Sequence, residues 1–211
     1  LKADDIRIFV ALGKGLAEVG DFETARRIFD EGTRWDPGSS EAFKLRGYLS
    51  VQSGEPTAAF ADLDRALELS PFDHDAYYKR AQAHLKIGRV SSALDDLKSA
   101  INIAPTNAKY LYLRGLVSLE SGEFQRALLD FDSAISITNN CAPQTISRAG
   151  EVLAMQVSPS EYVGLQCGWE DADFVNPLFA RSFLDLGRTY AQLGDLEQAI
   201  ENAKQAVGIL K

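Results

Sequence analysis

The residue types that most often carry chemistry are sparse in this chain of 211 residues. Its two histidines are His74 and His84, and neither stands at metal-ligand spacing from Cys141 or Cys167. No phosphate-binding glycine loop, dinucleotide-binding fingerprint or nucleophile–base arrangement can be recognised. The sequence therefore predicts a protein that is not an enzyme and that holds no metal and no cofactor.

Acidic pairs come closest to a catalytic arrangement, because paired carboxylates can act as general acid and base. Asp95 with Asp96, and Asp171 with Asp173, are better explained as a solvated helix face and a loop. The two cysteines are too few for a disulfide framework. We expect reduced thiols in a cytoplasmic or nuclear protein, with one intramolecular disulfide as the alternative.

Charge and hydropathy argue against two classes of partner. The net charge is −8, whereas nucleic acid and anionic lipid are bound through clustered Lys and Arg. No apolar stretch approaches the length of about 20 residues that spans a bilayer, and no signal-peptide pattern is present. We therefore expect no nucleic-acid binding and no membrane insertion. Because the chain begins at Leu1 rather than Met, we expect it to be a piece of a longer protein.

The clearest pattern in the sequence is an internal repeat. Glycines recur every 34 residues, at Gly20, Gly54, Gly88 and Gly122. Five residues after each stands an alanine, at Ala25, Ala59, Ala93 and Ala127. Seventeen residues after the first three stands a proline, at Pro37, Pro71 and Pro105, and Asn139 takes the fourth place. Such a fixed period is the signature of a repeat architecture.

We interpret each repeat as a pair of antiparallel helices. The glycine region ends the first helix and allows a tight turn, and the proline cannot continue the second helix. Small residues such as Gly47, Ala59 and Ala66 would let the two backbones approach closely, and Leu63 would fill the space beside them. A single hairpin cannot bury its apolar stripe alone, so it must stack on its neighbours.

The repeat resembles the tetratricopeptide repeat, a helix–turn–helix of about 34 residues. The segments YYKRAQAHLKIGRVSSALDDLKSAINIAP and LYLRGLVSLESGEFQRALLDFDSAI carry the resemblance most clearly. It implies an all-α fold, a right-handed α-solenoid of about six antiparallel helix hairpins in one array over residues 1–211. Regular units are predicted at residues 6–37, 40–71, 74–105, 108–139 and 178–211.

Residues 142–175 are predicted to form a degenerate fifth unit. Arg148 keeps the 34-residue spacing after Arg114, which favours a first helix near residues 143–156. Residues 158–161 read Ser-Pro-Ser-Glu, which is typical of a helix start. The alanine is lost afterwards, so we expect a short second helix and a loop near residues 168–176. Two side chains are expected to pack this loop, Trp169 and Phe174. A functional insertion is the alternative.

Arginines and aspartates stand at mirror-image distances from the turn glycines. Arg46, Arg80 and Arg114 precede them by eight residues, and Asp62, Asp96 and Asp130 follow them by eight. Residues equidistant from the turn of an antiparallel hairpin lie at similar height, so we predict the pairs Arg46–Asp62, Arg80–Asp96 and Arg114–Asp130. Such pairs, if partly exposed, contribute about 0–1 kcal/mol each and would fix helix geometry. The alternative is that the arginines extend into solvent.

The resemblance also implies a binding surface, because the first helices of successive hairpins line a concave groove in this family. The positions expected to bind a peptide are Lys14, Lys44, Tyr48, Tyr78, Gln82, Lys86, Lys109, Tyr112 and Leu116. The line would be extended by Ile146, Arg181 and Arg188. Tyrosine offers a large apolar face and a hydroxyl at low entropic cost, which suits peptide recognition. The alternative is that individual tyrosines pack between hairpins.

The expected function is a protein-interaction scaffold that binds a peptide or a partner helix in this groove. Some relatives clamp the C-terminal carboxylate of chaperones with Lys, Asn and Arg. Here Ala11 and Leu45 take the asparagine places, and Lys79 and Lys109 do not rebuild the clamp, so we expect another ligand. Two alternatives stay open. One is a targeting or regulatory domain of a larger enzyme, and the other is self-association through the solenoid ends.

Overall fold

The computed structural model describes the backbone of residues 3–147 and 175–209 and the side chains of residues 6–137 and 181–206. Within these ranges every regular element is an α-helix, which confirms the predicted all-α fold. In chain order the helices are α1 Ala3–Glu18, α2 Phe22–Trp35, α3 Ser40–Gln52, α4 Ala59–Leu69, α5 His74–Lys86, α6 Val90–Ile103, α7 Ala108–Glu120, α8 Phe124–Ser147, α9 Val175–Gln192 and α10 Leu196–Ile209. They group into two compact units, Leu1–Ile103 with α1–α6 and Ala104–Lys211 with α7–α10.

Each helix hairpin turns at a glycine with positive φ. Gly20, Gly54, Gly88, Gly122 and Gly194 have φ between 74° and 87°, a region that residues with a Cβ rarely adopt. At the first turn the Asp21 amide donates to the Leu16 carbonyl at 2.9 Å, which satisfies an orphan carbonyl of α1. The Asp21 carboxylate then accepts from the Thr24 amide at 3.1 Å and caps α2. The same short turn therefore ends one helix and begins the next.

Prolines mark the ends of second helices. Helices α2, α4 and α6 end at Trp35, Leu69 and Ile103, each two residues before a proline. Helix α8 differs, because it passes Asn139 and ends at Ser147. Asparagine keeps its amide N–H and does not clash with the preceding turn, so it does not stop a helix as proline does. The predicted boundary at residue 139 is therefore not a helix end, and α9 begins at Val175 rather than at 178.

Small residues bring the two helices of a hairpin together. In α3 a Cβ added to Gly47 would lie 2.9 Å from Leu63 Cγ and 3.1 Å from the Ala59 carbonyl oxygen of α4. Leu63 itself is fully buried. The glycine is required here because any side chain would push α3 and α4 apart. In α7 the phenyl ring of Phe131 occupies the corresponding space beside Gly115.

In the second unit, α9 packs against α7 and α8. The contact with α8 has an apolar core, in which Leu186 of α9 joins Phe131 and Ile135 in one buried cluster. The last hairpin, α9–α10, thus stacks on the hairpin α7–α8, although the sequence places a further repeat between them. Most of that predicted unit, including Arg148, Trp169 and Phe174, lies outside the described residues, as does Cys167.

Among the described residues, no helix combines the length and the apolar character that crossing a bilayer requires. The same residues contain no group of His, Cys, Asp and Glu that could hold a metal ion.

Candidate functional site

The structure brings the three predicted arginine–aspartate pairs together. Arg46 donates from Nε and Nη2 to the Asp62 carboxylate at 2.8 and 2.5 Å. Arg80 does the same to Asp96 at 2.9 and 2.6 Å. Arg114 and Asp130 repeat the fork at 2.8 and 2.6 Å. Each pair joins the two helices of one hairpin by two parallel, charge-assisted hydrogen bonds.

Two of these arginines also reach the preceding hairpin. Arg46 Nη1 donates to Asp30 at 2.9 Å, and Arg80 Nη1 donates to Asp64 at 2.7 Å. Sequence reasoning missed both acceptors, although each stands sixteen residues before its arginine. The guanidinium groups therefore join neighbouring hairpins as well as the helices within one hairpin.

The surface formed by α1, α3 and α5 in the first unit carries several of the predicted binding residues, and we call it the tyrosine face. It is defined by Lys14, Lys44, Tyr48, Tyr78, Lys79 and Gln82. Helix α3 packs against both α1 and α5, so side chains from the three first helices are neighbours on it.

The lysines of the tyrosine face are neutralised by carboxylates. Lys44 is 8% exposed. Its ammonium nitrogen lies 2.7 Å from Glu41, 3.0 Å from Asp73 and 3.4 Å from Asp75. Burial alone would lower the pKa of Lys44, but the negative charges of Asp75, Glu41 and Asp73 outweigh burial and raise it. Lys44 is therefore a buried structural cation, in place of the accessible groove cation that the sequence suggested.

The two outer lysines are paired in the same way. Lys14 lies 3.1 Å from Glu41, and Lys79 lies 3.4 Å from Asp75. Glu41 and Asp75 were not predicted as partners from the sequence, because they stand in the first turns of α3 and α5, where an acidic residue is ordinary. The tyrosine face thus combines three lysines with three carboxylates.

Aromatic and amide groups lie among these charges. The Lys79 ammonium sits 3.8 Å from the centre of the Tyr48 ring, a cation–π contact. Burial, assisted by the charge of Asp75, raises the pKa of Tyr48. Burial likewise raises the pKa of Tyr78, which is half-buried. Gln82 follows Tyr78 by one helical turn, and its side-chain oxygen is buried without a hydrogen-bond partner among the described residues.

The remaining predicted residues lie elsewhere. Lys86 is exposed at the end of α5. Lys109 is half-buried at the start of α7, and Leu116 packs on the apolar cluster of α8 and α9. Tyr112 donates its hydroxyl hydrogen to Asp185 Oδ2 at 2.8 Å and so packs between hairpins of the second unit. The side chain of Ile146 lies outside the described residues.

A half-buried histidine, His84, adds a pH-dependent element to the first unit. The His84 ring packs against Phe60 with ring centres 4.6 Å apart and planes tilted by 38°, and its Nε2 lies 3.7 Å from Asp96. Burial lowers the pKa of His84 below its usual 6.5, against the attraction of Asp96 and together with the charges of Arg80 and Arg89. Between the lowered pKa and the ordinary one the unfolded chain binds more protons than the folded one. Stability therefore falls as the pH drops below about 6.5.

We expect this fall to be measurable in the melting temperature. When the pH is lowered from about 7.5 to about 5.5, the melting temperature of His84→Gln should fall less than that of the parent protein, because the titrating group is gone. The matched variant His74→Gln removes the other histidine and controls for the loss of an imidazole in itself. Equal pH dependence of all three proteins would contradict the assignment. Differential scanning fluorimetry at matched ionic strength measures it.

Comparison with known proteins identifies the repeat. The family model described as tetratricopeptide repeat matches residues 10–74, 46–108 and 78–140, and a second model of the same description matches residues 180–209. No curated protein matches the chain.

Solved structures show the same fold at low sequence identity. MamA 41-end from Desulfovibrio magneticus RS-1 is 18% identical, with a TM-score of 0.70, covering 99% of this chain and 97% of that one. A thermophilic TPR protein of Thermus thermophilus is 17% identical, with a TM-score of 0.64 and coverages of 96% and 90%. YrrB is 18% identical, with a TM-score of 0.62 and coverages of 95% and 84%. The first family model alone matches more than half of the residues of this chain, so the chain belongs to the tetratricopeptide repeat family.

Proposed function

We propose that the chain is a protein-interaction scaffold and that its tyrosine face binds an extended peptide. Proteins built from tetratricopeptide repeats are generally scaffolds without catalytic activity. The observation that carries the finer proposal is the buried Gln82 oxygen, which has no hydrogen-bond partner among the described residues. An unsatisfied buried acceptor is costly to keep. If the Gln82 side chain turned toward the tyrosine face, an amide N–H of a bound peptide would satisfy its oxygen.

The surroundings of Gln82 support a peptide as the ligand. Tyr48 and Tyr78 are half-buried on the same face and present rings on which an apolar side chain can rest. One of the similar structures, YrrB, is described as a TPR protein with an unusual peptide-binding site. We expect recognition on this face to rest on amide hydrogen bonds and aromatic contact.

The ion pairs of the tyrosine face argue against a carboxylate terminus as the ligand. Lys14, Lys44 and Lys79 each lie within 3.4 Å of a carboxylate of the chain itself. An incoming carboxylate would therefore have to compete with bonds that are already made. We propose a ligand other than a chaperone tail for this reason, in addition to Ala11 and Leu45 at the asparagine places.

The test separates binding from folding. Gln82→Leu removes the unsatisfied amide, so the melting temperature should stay level or rise. The affinity for a peptide selected on the parent protein from a random displayed library should nevertheless fall by about tenfold, the equivalent of one lost hydrogen bond to a buried acceptor. Tyr78→Ala should lower the affinity for the same peptide by at least the same factor. Fluorescence anisotropy of the labelled peptide measures both.

The matched control is Phe72→Ala, which removes an aromatic ring that is exposed outside the tyrosine face. It should leave the affinity within about twofold of the parent. If the selected peptide bound Gln82→Leu and Tyr78→Ala as tightly as the parent, the tyrosine face would not be its binding site.

Self-association is a second candidate with a specific observation behind it. Helix α10 exposes Leu196 and Ile200, which stand one turn apart on one face. A second copy stacked on this face would cover them. Sedimentation velocity over a range of concentrations should show dimers that Leu196→Glu and Ile200→Glu abolish, whereas a monomer at every concentration would reject this candidate.

A further inference from the structure

Helix α9 presents a basic face with an apolar centre. Arg181, Leu184 and Arg188 stand three and four residues apart, so they share one side of the helix. All three are exposed; Leu184 is 41% accessible and the Arg188 side chain 72%. We call this surface the arginine face.

The arginine face borders the line of contact between α9 and α7. Asp185, the neighbour of Leu184, accepts a hydrogen bond from the Tyr112 hydroxyl at 2.8 Å and one from Arg188 Nη1 at 3.0 Å. Burial and the bond to Asp185 raise the pKa of Tyr112, while Arg181 and Arg188 lie close enough to oppose that rise. Arg188 is therefore bonded at this point of the second unit, and Arg181 lies near it.

The charges on this surface are not balanced. Asp185 is the partner of Arg188, and no carboxylate lies within ion-pair distance of Arg181 in the part of the chain that the structure describes. The tyrosine face differs, because its three lysines face three carboxylates. In a chain of net charge −8, the arginine face is a local positive site that attracts an anionic group.

We propose that the arginine face of α9 binds an acidic segment of a partner protein with carboxylates on either side of an apolar residue. One carboxylate meets Arg181, and the other meets the N–H groups of Arg188 that do not bond Asp185. Guanidinium groups bind carboxylates by two parallel hydrogen bonds, which gives geometry as well as attraction. The apolar residue would rest on Leu184, between the two arginines. This inference concerns a different surface in a different unit from the tyrosine face, so either can fail while the other holds.

The same charges could attract a nucleic acid, but the rest of the protein does not favour it. A polyanion extends over many phosphates, and a chain of net charge −8 repels it overall. The exposed Leu184 at the centre also suits a side chain better than a phosphodiester. A short acidic peptide needs to touch only the positive site.

The experiment selects random peptides, displayed with both ends blocked by flanking sequence, on three forms of the full 211-residue chain. One is the parent, one is Arg181→Glu/Arg188→Glu, and one is the charge-matched control Arg126→Glu/Lys204→Glu. The control changes two exposed cations on α8 and α10, neither of which is on α9. Deep sequencing of the three selected pools measures the enrichment of Asp and Glu over the starting library.

The parent and the control should both enrich acidic peptides that the arginine-face variant does not retain. One such peptide should then bind the variant at least about tenfold more weakly than the parent by anisotropy, with the control within about twofold. Replacing its Asp and Glu by Asn and Gln should cause a similar loss. Binding should weaken as salt is added, because the contact is electrostatic.

The inference would be overturned by a parent pool without acidic enrichment or by acidic peptides retained by the arginine-face variant. A single-stranded oligonucleotide that binds the parent more tightly than the selected peptide would overturn it as well. If the double variant does not give the circular dichroism spectrum of the parent, Arg181→Glu carries the test, since Arg181 has no ion-pair partner among the described residues. Loss of acidic peptides with Tyr78→Ala and not with Arg181→Glu would also count against it.

Discussion

Replacing Phe131 by alanine should lower the free energy of unfolding by about 3–5 kcal/mol, the range found when a fully buried phenyl ring is removed from a core. Phe131 has no exposed surface. Its ring fills the space that Gly115 leaves on α7, and it packs in one cluster with Ile135 and with Leu186 of α9. The variant loses the transfer energy of the ring and gains a cavity that the surrounding helices fill only in part.

Hydrogen exchange should show where the energy is lost. Stability in repeat proteins is a sum of hairpin and nearest-neighbour terms, and Phe131 contributes to both the hairpin α7–α8 and its contact with α9. Amides of α9 and α10 should therefore lose protection in Phe131→Ala. The matched variant Phe72→Ala removes an 80% exposed ring and should change stability by no more than about 0.5 kcal/mol. Unaltered protection of α9 and α10 would contradict the direct stacking of the last hairpin on α8.

Replacing Arg80 by leucine should destabilise the protein by about 3 kcal/mol, well above the effect of a surface ion pair. The partner carboxylate, Asp96, is only 5% exposed. It would lose the two short hydrogen bonds from Arg80 and stay buried as an uncompensated charge. The low value of about 0–1 kcal/mol expected from the sequence applies to exposed pairs, and the burial of Asp96 is what changes it.

A double replacement distinguishes the cost of an unpaired charge from the worth of the pair. Arg80→Leu/Asp96→Leu should recover most of the lost stability, because two apolar residues can replace a buried ion pair at little cost. The chain itself carries such an exchange, with Leu12 and Ile28 at the equivalent positions of the first hairpin.

Urea denaturation of the parent, both single variants and the double variant gives the coupling energy. The control Arg65→Leu removes an exposed arginine that pairs with Glu68 and should cost less than about 1 kcal/mol. A double variant that is less stable than Arg80→Leu would contradict the explanation.

Features confined to one hairpin could be predicted from the sequence. A positive φ at Gly54 and a helix end before Pro71 depend on a few neighbouring residues. The fork between Arg46 and Asp62 depends only on equal distances from one turn. The hairpin geometry sets these relations, so the repeat pattern contains them.

Contacts between hairpins could not be predicted in the same way. The second acceptors Asp30 and Asp64 become partners only because of the angle at which one hairpin stacks on the next. The burial of Lys44 among three carboxylates has the same origin. Spacing along the chain does not encode that angle, which the packing of side chains between helices decides.

The order of the last hairpins shows most clearly what the sequence determines and what only the packing of the hairpins decides. The repeat pattern predicted the helices of the last unit, because each arises from residues close in the chain. The pattern also predicted a degenerate unit between the last hairpin and α7–α8. In the structure Tyr112 of α7 and Asp185 of α9, 73 residues apart, form a direct hydrogen bond. Chain order therefore gives the hairpins, but burial of Phe131 and Leu186 in one apolar cluster decides which hairpins are neighbours, since that burial is gained only when α9 lies on α8.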